Sequence, residues 1–284
     1  MKTGPWNVYS ILEGTFGLDG GSMFGIVPKP LWSKHHEPDD KNRITMALRP
    51  MLITNGDRHI LVDAGIGSRF DEKQQKIYHY LPAKPGLLEG IERLGLTPRQ
   101  ITDVIATHLH FDHVSGLLAP DDEGQLLPVF PNAKIHIQEE AWRWAKEPSQ
   151  WDRGSFFKND FSIWENELAL SMLHGDTEIA PDVRVMRTQG HTPGHQVVLV
   201  GQGKDTVVFC ADLIPTAAHL NLAWIMAYDQ NPLMTLDEKK MLLAQAVEEN
   251  WILVFEHDPH NTACRLKEEK NKVMPGERMD MEIP

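Results

Sequence analysis

Seven side chains of metal-ligating type are spread from position 108 to position 257 of this chain, and one site can use them only if the fold brings four separate segments together. The segment Thr107-His108-Leu109-His110-Phe111-Asp112-His113 carries the pattern H-x-H-x-D-H. His191 lies in the turn-forming stretch Gly190-His191-Thr192-Pro193-Gly194-His195, Asp212 ends one apolar run and His257 ends another. Imidazole and carboxylate together suit zinc best, with iron, cobalt and manganese as further options. Seven such donors are too many for one tetrahedral ion. They suit two divalent ions per chain that share a bridge and keep a position open to water.

The neighbours of the first cluster say how it is held. Val104-Ile105-Ala106 is a short β-leaning apolar run, so the ligands fall on the loop leaving a strand, and Val114 to Leu118 reads as the start of a short helix. In extended chain His108 and His110 point the same way and can grip one ion, while Asp112 and His113 lie beyond the turn and can reach a second. Further strands are expected at Met46 to Thr54 and His59 to Asp63, around the hairpin signal Asn55-Gly56-Asp57. Lys134 to Gln138, Val183 to Thr188, Gln196 to Val200, Thr206 to Asp212 and Trp251 to His257 read as strands too. Helices are expected at Pro85 to Leu94, at Glu139 to Lys146 and at Thr235 to Glu249. The last is expected to be capped by Thr235 with Glu238 as a capping box, and Ser155 to Leu173 also allows a helix. Periodicity alone gives α/β or α+β.

From about Val8 to His257 the chain resembles the metallo-β-lactamase-fold superfamily. Val62-Asp63-Ala64-Gly65, the H-x-H-x-D-H run, Gly190 to His195, Ala211-Asp212 and the late His257 occur in the order that family uses. The resemblance implies an α+β fold, an αββα sandwich of two packed mixed sheets with helices on the outer faces. It implies that His108, His110 and His191 hold one metal, that Asp112, His113 and His257 hold the other, and that Asp212 bridges them. Asp63 is then either a turn carboxylate or an acceptor that orients a ligand imidazole, and His195 is a second candidate for such an orienting role. Asp19 to Lys34, Asp212 to Thr216 and Trp224 to Asp229 resemble YtnP-type quorum-quenching lactonases and, more distantly, methyl-parathion-hydrolase-like enzymes. That narrower likeness implies a dinuclear hydrolase that opens the ester ring of N-acyl-homoserine lactones by a metal-bridging hydroxide. A glyoxalase II-like thioesterase and a phosphotriester or aryl ester hydrolase are the alternatives on the same centre.

Composition narrows the partners. The chain has 284 residues and a formal net charge of −12, which weighs against a nucleic-acid partner because a phosphate backbone demands a basic footprint. No apolar run reaches the roughly 18 residues that span a bilayer. Met1-Lys2-Thr3-Gly4-Pro5-Trp6 carries no apolar signal core, so a cytoplasmic location is the expectation. Two cysteines, Cys210 and Cys264, make no disulfide framework. Cys210, two residues before Asp212, is either a small buried residue or one that packs beneath the metals. A single domain over 1–284 is expected, with its core at about 8–260 and a polar, solvated tail at 267–284. A small-molecule lactone or ester is the expected partner, and a homodimer is one option for assembly.

Substrate contacts follow from the same resemblance. Many lactonases of this fold place a Tyr three residues after the bridging Asp, where Pro215 stands here. The oxyanion donor is then expected at His219 or Tyr228, with Asp112 as the proton carrier between the attacking water and the leaving alkoxide. Met23, Phe24, Trp32, Trp224 and Met226 are the candidate apolar lining. No G-x-S-x-G elbow offers a side-chain nucleophile.

Overall fold

Alternate residues along the strands go to two different cores. Met51, Ile53, Ile60 and Val62 point into one apolar cluster, while Leu52 and Leu61 between them point into another. The same switch recurs at Val207, Val208 and Phe209 and at Ile252, Leu253 and Val254. Each strand therefore has two buried faces, one against a second sheet and one against helices. The structure, a computed structural model that describes residues 1–270 and 272–283, has two seven-stranded sheets. The first runs in the order Lys2–Thr3, Trp6–Ser10, Met51–Thr54, His59–Val62, Asp103–Ile105, Lys134–Gln138, Ala169–Leu173. The second runs Thr177–Ala180, Val183–Thr188, His195–Val200, Val207–Phe209, Ile252–Val254, Ala263–Glu269, Lys272–Met279. Helices Leu87–Arg93, Glu139–Lys146 and Asp160–Glu167 cover the first sheet and Pro232–Glu248 covers the second. This is the αββα sandwich that the resemblance implied.

Strand direction decides where the ligands meet. His59–Val62 and Asp103–Ile105 pair in parallel, as do Val207–Phe209 and Ile252–Val254 in the other sheet. Asp63, the loop 107–113, Asp212 and His257 all follow the C-terminal ends of these strands, the usual place for a site in parallel sheets. Gln196 ties the two sheets together there. Its backbone N–H donates to Thr107 O at 2.9 Å and its side chain to Ala106 O at 2.8 Å. A smaller sheet of Gly14–Asp19, Arg43–Leu48 and Leu81–Pro82 walls the site, and Ala47 N–H donates to His257 O at 3.0 Å.

Five local expectations are corrected. Met46 to Thr54 is two strands in different sheets, Arg43–Leu48 and Met51–Thr54, because Pro50 interrupts the ladder. The last helix begins at Pro232, with Asn231 accepting from Met234 N–H as its cap. Thr235 is buried inside it, and Glu238 accepts instead from the N–H groups of Gln189 and Gly190. Ser155 to Leu173 divides into the helix Asp160–Glu167 and the strand Ala169–Leu173. The expected polar tail does stay largely exposed, but it is paired chain: Ala263–Glu269 and Lys272–Met279 pair antiparallel at the sheet edge, and Met281 is buried in the inner core. Of the two readings for Cys210 the structure bears out the small buried residue and overturns only the other: it packs with Val208, Leu213 and Leu242 on the outer face, not beneath the candidate metal cluster. Ala211 takes φ +45°, which breaks the strand alternation between Cys210 and Asp212.

Gly116 fixes the metal-ligating loop to the turn after Asp63. Its N–H donates to Gly65 O at 2.9 Å, and a Cβ there would meet Ala64 O at 2.1 Å, a backbone atom that cannot swing aside. Gly116→Ala should cost about 2 kcal/mol, in the range of overpacking, and lower Tm by roughly 4–8 °C. Gly154→Ala, with open space around its Cβ, should leave Tm within about 2 °C in the same thermal melt.

Candidate metal centre

Four of the seven donors converge on one point. His108 Nε2 lies 3.0 Å from His110 Nδ1, which lies 3.2 Å from His191 Nε2. Asp212 Oδ2 is 3.1 Å from His191 Nε2 and 3.8 Å from His108 Nε2. A second group meets beside it. His113 Nε2 and His257 Nε2 are 3.2 Å apart, and Asp112 Oδ2 is 3.8 Å from each. Asp212 Oδ1 turns to this group, 3.1 Å from His257 and 3.6 Å from His113. The two oxygens of one carboxylate thus face one group each. An ion with bonds of about 2.0–2.1 Å in tetrahedral geometry keeps its ligand atoms about 3.3 Å apart, and the observed separations bracket that value.

Outer partners fix which ring nitrogen carries the proton. His257 Nδ1 lies 2.8 Å from Ala47 O, which can only accept, so Nδ1 is protonated and Nε2 offers a lone pair. His191 Nδ1 donates to Asp229 at 2.8 Å, and His113 Nδ1 faces Asp63 at 3.0 Å and Glu256 at 3.1 Å. Thr107 spends its hydroxyl proton on Asp63 at 2.7 Å, so it accepts from His108 Nδ1 at 3.1 Å. His191, His113, His108 and His257 therefore all keep a proton on the outer Nδ1 and turn Nε2 inward, where an ion can replace any second proton. Inward ring nitrogens grouped around a shared buried carboxylate call for positive charge, so the residues fit two divalent ions. His195 lies outside both groups. Its Nδ1 bonds Thr188 at 2.6 Å, and its Nε2 accepts from the Asp212 backbone N–H at 3.2 Å, which steadies the bridging residue. Asp63, at φ +57°, also accepts from Thr107 N–H at 2.8 Å.

The electrostatics agree with a site built for positive charge. Burial, with the neighbouring imidazoles, holds His108 and His110 well below the usual histidine range. Burial acts the same way on His113 and His257, but the carboxylates around them outweigh it. Glu256, Asp112 and Asp212 raise His113 well above its usual range, and Asp212 and Glu256 push His257 up to about 9. Asp212 stays far below the carboxylate range against its burial, because His191, His113 and His257 surround it.

Above the two groups opens a cavity of about 230 Å³. His110, Asp112, His191, Asp212 and His257 form its floor. Leu18, Met23, Tyr78, Phe111, Met226 and Tyr228 form its walls, and the exposed Trp151 lies at its mouth. Met23 and Met226, two of the five expected apolar lining residues, border this cavity. Phe24 and Trp32 do not line this cavity: they stack on each other at 5.4 Å within the core that backs it. Trp224 lines a separate cavity with His35 and His36. His219 is the larger correction. Its Nε2 donates to Met23 O at 2.8 Å and its Nδ1 accepts from Thr216 at 2.7 Å, while burial pushes its pKa down to about 3. A neutral ring with both nitrogens engaged has no proton for a substrate oxyanion.

Tyr228 does reach the cavity. Burial pushes its phenol up to about 12, with Asp112 adding to the effect, so the hydroxyl keeps its proton at neutral pH. Tyr78 is a second phenol there, raised by burial and by Asp112 in the same way, and the sequence offered no spacing that would have singled it out. Asp229 and Glu256 were missed as well. A charged residue inside the apolar run Ile252-Leu253-Val254-Phe255-Glu256 was the available signal for the second.

Comparison with known proteins agrees with this geometry. The metallo-beta-lactamase superfamily model matches residues 50–257. The chain is 28% identical over 170 residues to an N-acyl homoserine lactonase of Bacillus sp, covering 59% of this chain and 60% of that relative, so it spans less than two thirds of the relative's length. It is 23% identical over 267 residues to a probable metallo-hydrolase of Mycobacterium tuberculosis, covering 84% of this chain and 85% of that one. A probable metal-dependent hydrolase from Staphylococcus aureus superposes with a TM-score of 0.86 at 29% identity, covering 98% of this chain and 100% of that chain. The dizinc quorum-quenching lactonase AidC, solved with a product bound, superposes at 0.77 over 100% of this chain and 97% of its own, and at 20% identity it speaks for the fold alone. The chain belongs to the metallo-beta-lactamase superfamily.

Proposed function

We propose that this protein is a dinuclear metal-dependent hydrolase that opens lactone rings, with N-acyl-homoserine lactones as its substrate class and zinc as its metal. The observation that carries the reading is the pair of donor groups sharing Asp212 at the floor of a cavity with apolar walls. The lactonases among its relatives support the substrate class. Two divalent ions held by these residues would activate a water and polarise an ester carbonyl.

The chain's own groups supply the rest. Asp112 stands at the cavity floor, where its carboxylate can accept a proton from the attacking water and return it to the leaving alkoxide. Tyr228 offers a phenol proton to the carbonyl oxygen as charge develops there. Met23, Phe111 and Met226 exclude water from an acyl chain. None of the described residues that line this cavity is Lys or Arg, so a glutathione thioester would find no counter-charge for its carboxylates. Arg265 and Lys267 lie on the edge hairpin, and Lys272 lines a different cavity. A neutral phosphotriester lacks that handicap.

A panel of lactones, a glutathione thioester and a phosphotriester tests the reading directly on zinc-loaded protein. Acyl-homoserine lactones should give the highest kcat/KM, rising with chain length by up to about fourfold per CH₂, because each buried CH₂ contributes about 0.8 kcal/mol at most. Preference for the thioester, or a flat response to chain length, would overturn the assignment. Elemental analysis should approach two divalent ions per chain. Asp212→Ala should lose activity and most of both ions, whereas retention of two ions with near-normal turnover would refute the bridge. Tyr228→Phe should lower kcat about tenfold at unchanged metal content, less than a sole oxyanion donor would cost because the ions share the charge. A change under about twofold would remove Tyr228 from the chemistry.

A further inference from the structure

Lys239 sits on the inner face of the helix Pro232–Glu248 and is 1% exposed. An ammonium buried so deeply needs partners, and it has two: Nζ donates to the carbonyl oxygens of Trp224 at 2.7 Å and Asn221 at 3.0 Å. Both acceptors belong to the segment 221–229, which is neither helix nor strand: two turns, Trp224 N–H to Asn221 O at 3.0 Å and Asp229 N–H to Met226 O at 3.3 Å, fold it, and Ala227 N–H ties its middle to Ser22 O at 2.8 Å. That segment nevertheless carries three groups of the candidate site. Met226 and Tyr228 line the cavity, and Asp229 receives the Nδ1 proton of His191 at 2.8 Å. Immediately after it, Gln230 N–H donates to His191 O and Asn231 N–H to Gly190 O, which closes a ring from the helix through the segment to the His191 turn. The Asp229 carboxylate also favours the charge on Lys239 electrostatically.

We propose that Lys239 is a positioning residue of this hydrolase: by gripping Asn221 and Trp224 it sets the segment 221–229, and with it the Asp229 carboxylate behind His191 and the Tyr228 phenol above the metal groups. The proposal rests on the hydrolytic reading for its kinetic consequence but not for its metal consequence. An apolar side chain could fill the same volume, yet only a long stem with several donors satisfies two carbonyls at once. Burial pushes Lys239 down to about 7, in keeping with an ammonium held by little beyond these two carbonyls and one carboxylate.

The test uses full-length Lys239→Met titrated with zinc against a chelator, with kcat and KM read on the best ester of the panel. The affinity for one of the two ions should fall at least tenfold, kcat should fall about tenfold, and the other ion should stay within about threefold. A purely structural residue would lower Tm and leave both affinities and kcat in place. Lys239→Ala adds a second measurement: n-butylammonium should restore the lost zinc affinity, and n-butanol at the same concentration should not. Should Lys239→Met fail to fold, Lys239→Gln, which keeps a donor for one carbonyl, is read by the same two quantities. Folded protein with both zinc affinities and kcat within twofold of wild type would overturn the proposal. If the wild type hydrolyses no ester at all, the hydrolytic reading fails, and the zinc titration still decides the role of Lys239.

Discussion

The rest of this structure is arranged around one buried carboxylate, Asp212, and the positive charge it needs. Four imidazoles turn Nε2 toward Asp212 from distances of 3.1–3.8 Å, and Asp112 adds a second carboxylate. None of these groups would choose that company in a buried place without positive charge to share. The arrangement survives because each ring is held from behind. Ala47 O, Asp229, the Asp63–Glu256 pair and Thr107 fix the outer nitrogens of His257, His191, His113 and His108. The outer shell therefore does more than orient ligands. It stores the cost of a preformed site in the folding energy of the two sheets, so that less reorganisation falls on metal binding.

That cost explains why the anchors come from so many parts of the chain. Asp63 and the 107–113 loop leave neighbouring parallel strands of the first sheet, Glu256 and His257 leave the second, and Ala47 comes from the small sheet that walls the cavity. Thermal motion that slid one sheet over the other would misalign both groups at once. The inner core resists it with tightly interdigitated β-branched and aromatic side chains such as Val62, Ile105, Val198 and Phe209, each essentially without solvent contact. Gln196 adds a polar latch close to the ligands, at the one edge where the sheets must stay in register.

What was legible in the sequence follows from range. The seven donors announced themselves because metal ligation restricts residue type severely, and a local pattern such as H-x-H-x-D-H is itself a statement of geometry. Strands whose two faces are both buried were visible as apolar runs, but which face met which layer was not, since nothing local distinguishes an inner core from an outer one. Chain breaks misled at single residues. Pro50 split a run that looked continuous, and Ala211 at positive φ turned Cys210 away from Asp212. Asp229, Glu256 and Tyr78 were missed because their roles depend on partners far away in sequence. His219 was overvalued for the converse reason: its nearness to Asp212 in the chain said nothing of the carbonyl of Met23 that occupies its proton.

Pro215, three residues after Asp212, stands where the resemblance led one to expect a substrate-facing donor. Pro215 has no N–H and no side-chain proton, but its carbonyl accepts the backbone N–H of His257 at 3.1 Å. That position is here spent on holding the strand end that carries His257. His219 could not replace it, because turning its ring would leave Met23 O and Thr216 unpaired inside an aromatic stack with Phe24 at 4.6 Å. The phenols that remain, Tyr228 and Tyr78, approach from a loop and a helix outside both main sheets. The candidate ligands are therefore bound to the rigid sandwich, while the phenols that line the cavity ride on segments outside it. On the proposed function, such a division would let the cavity walls change for a different ester without disturbing the anchors that hold the candidate ligands.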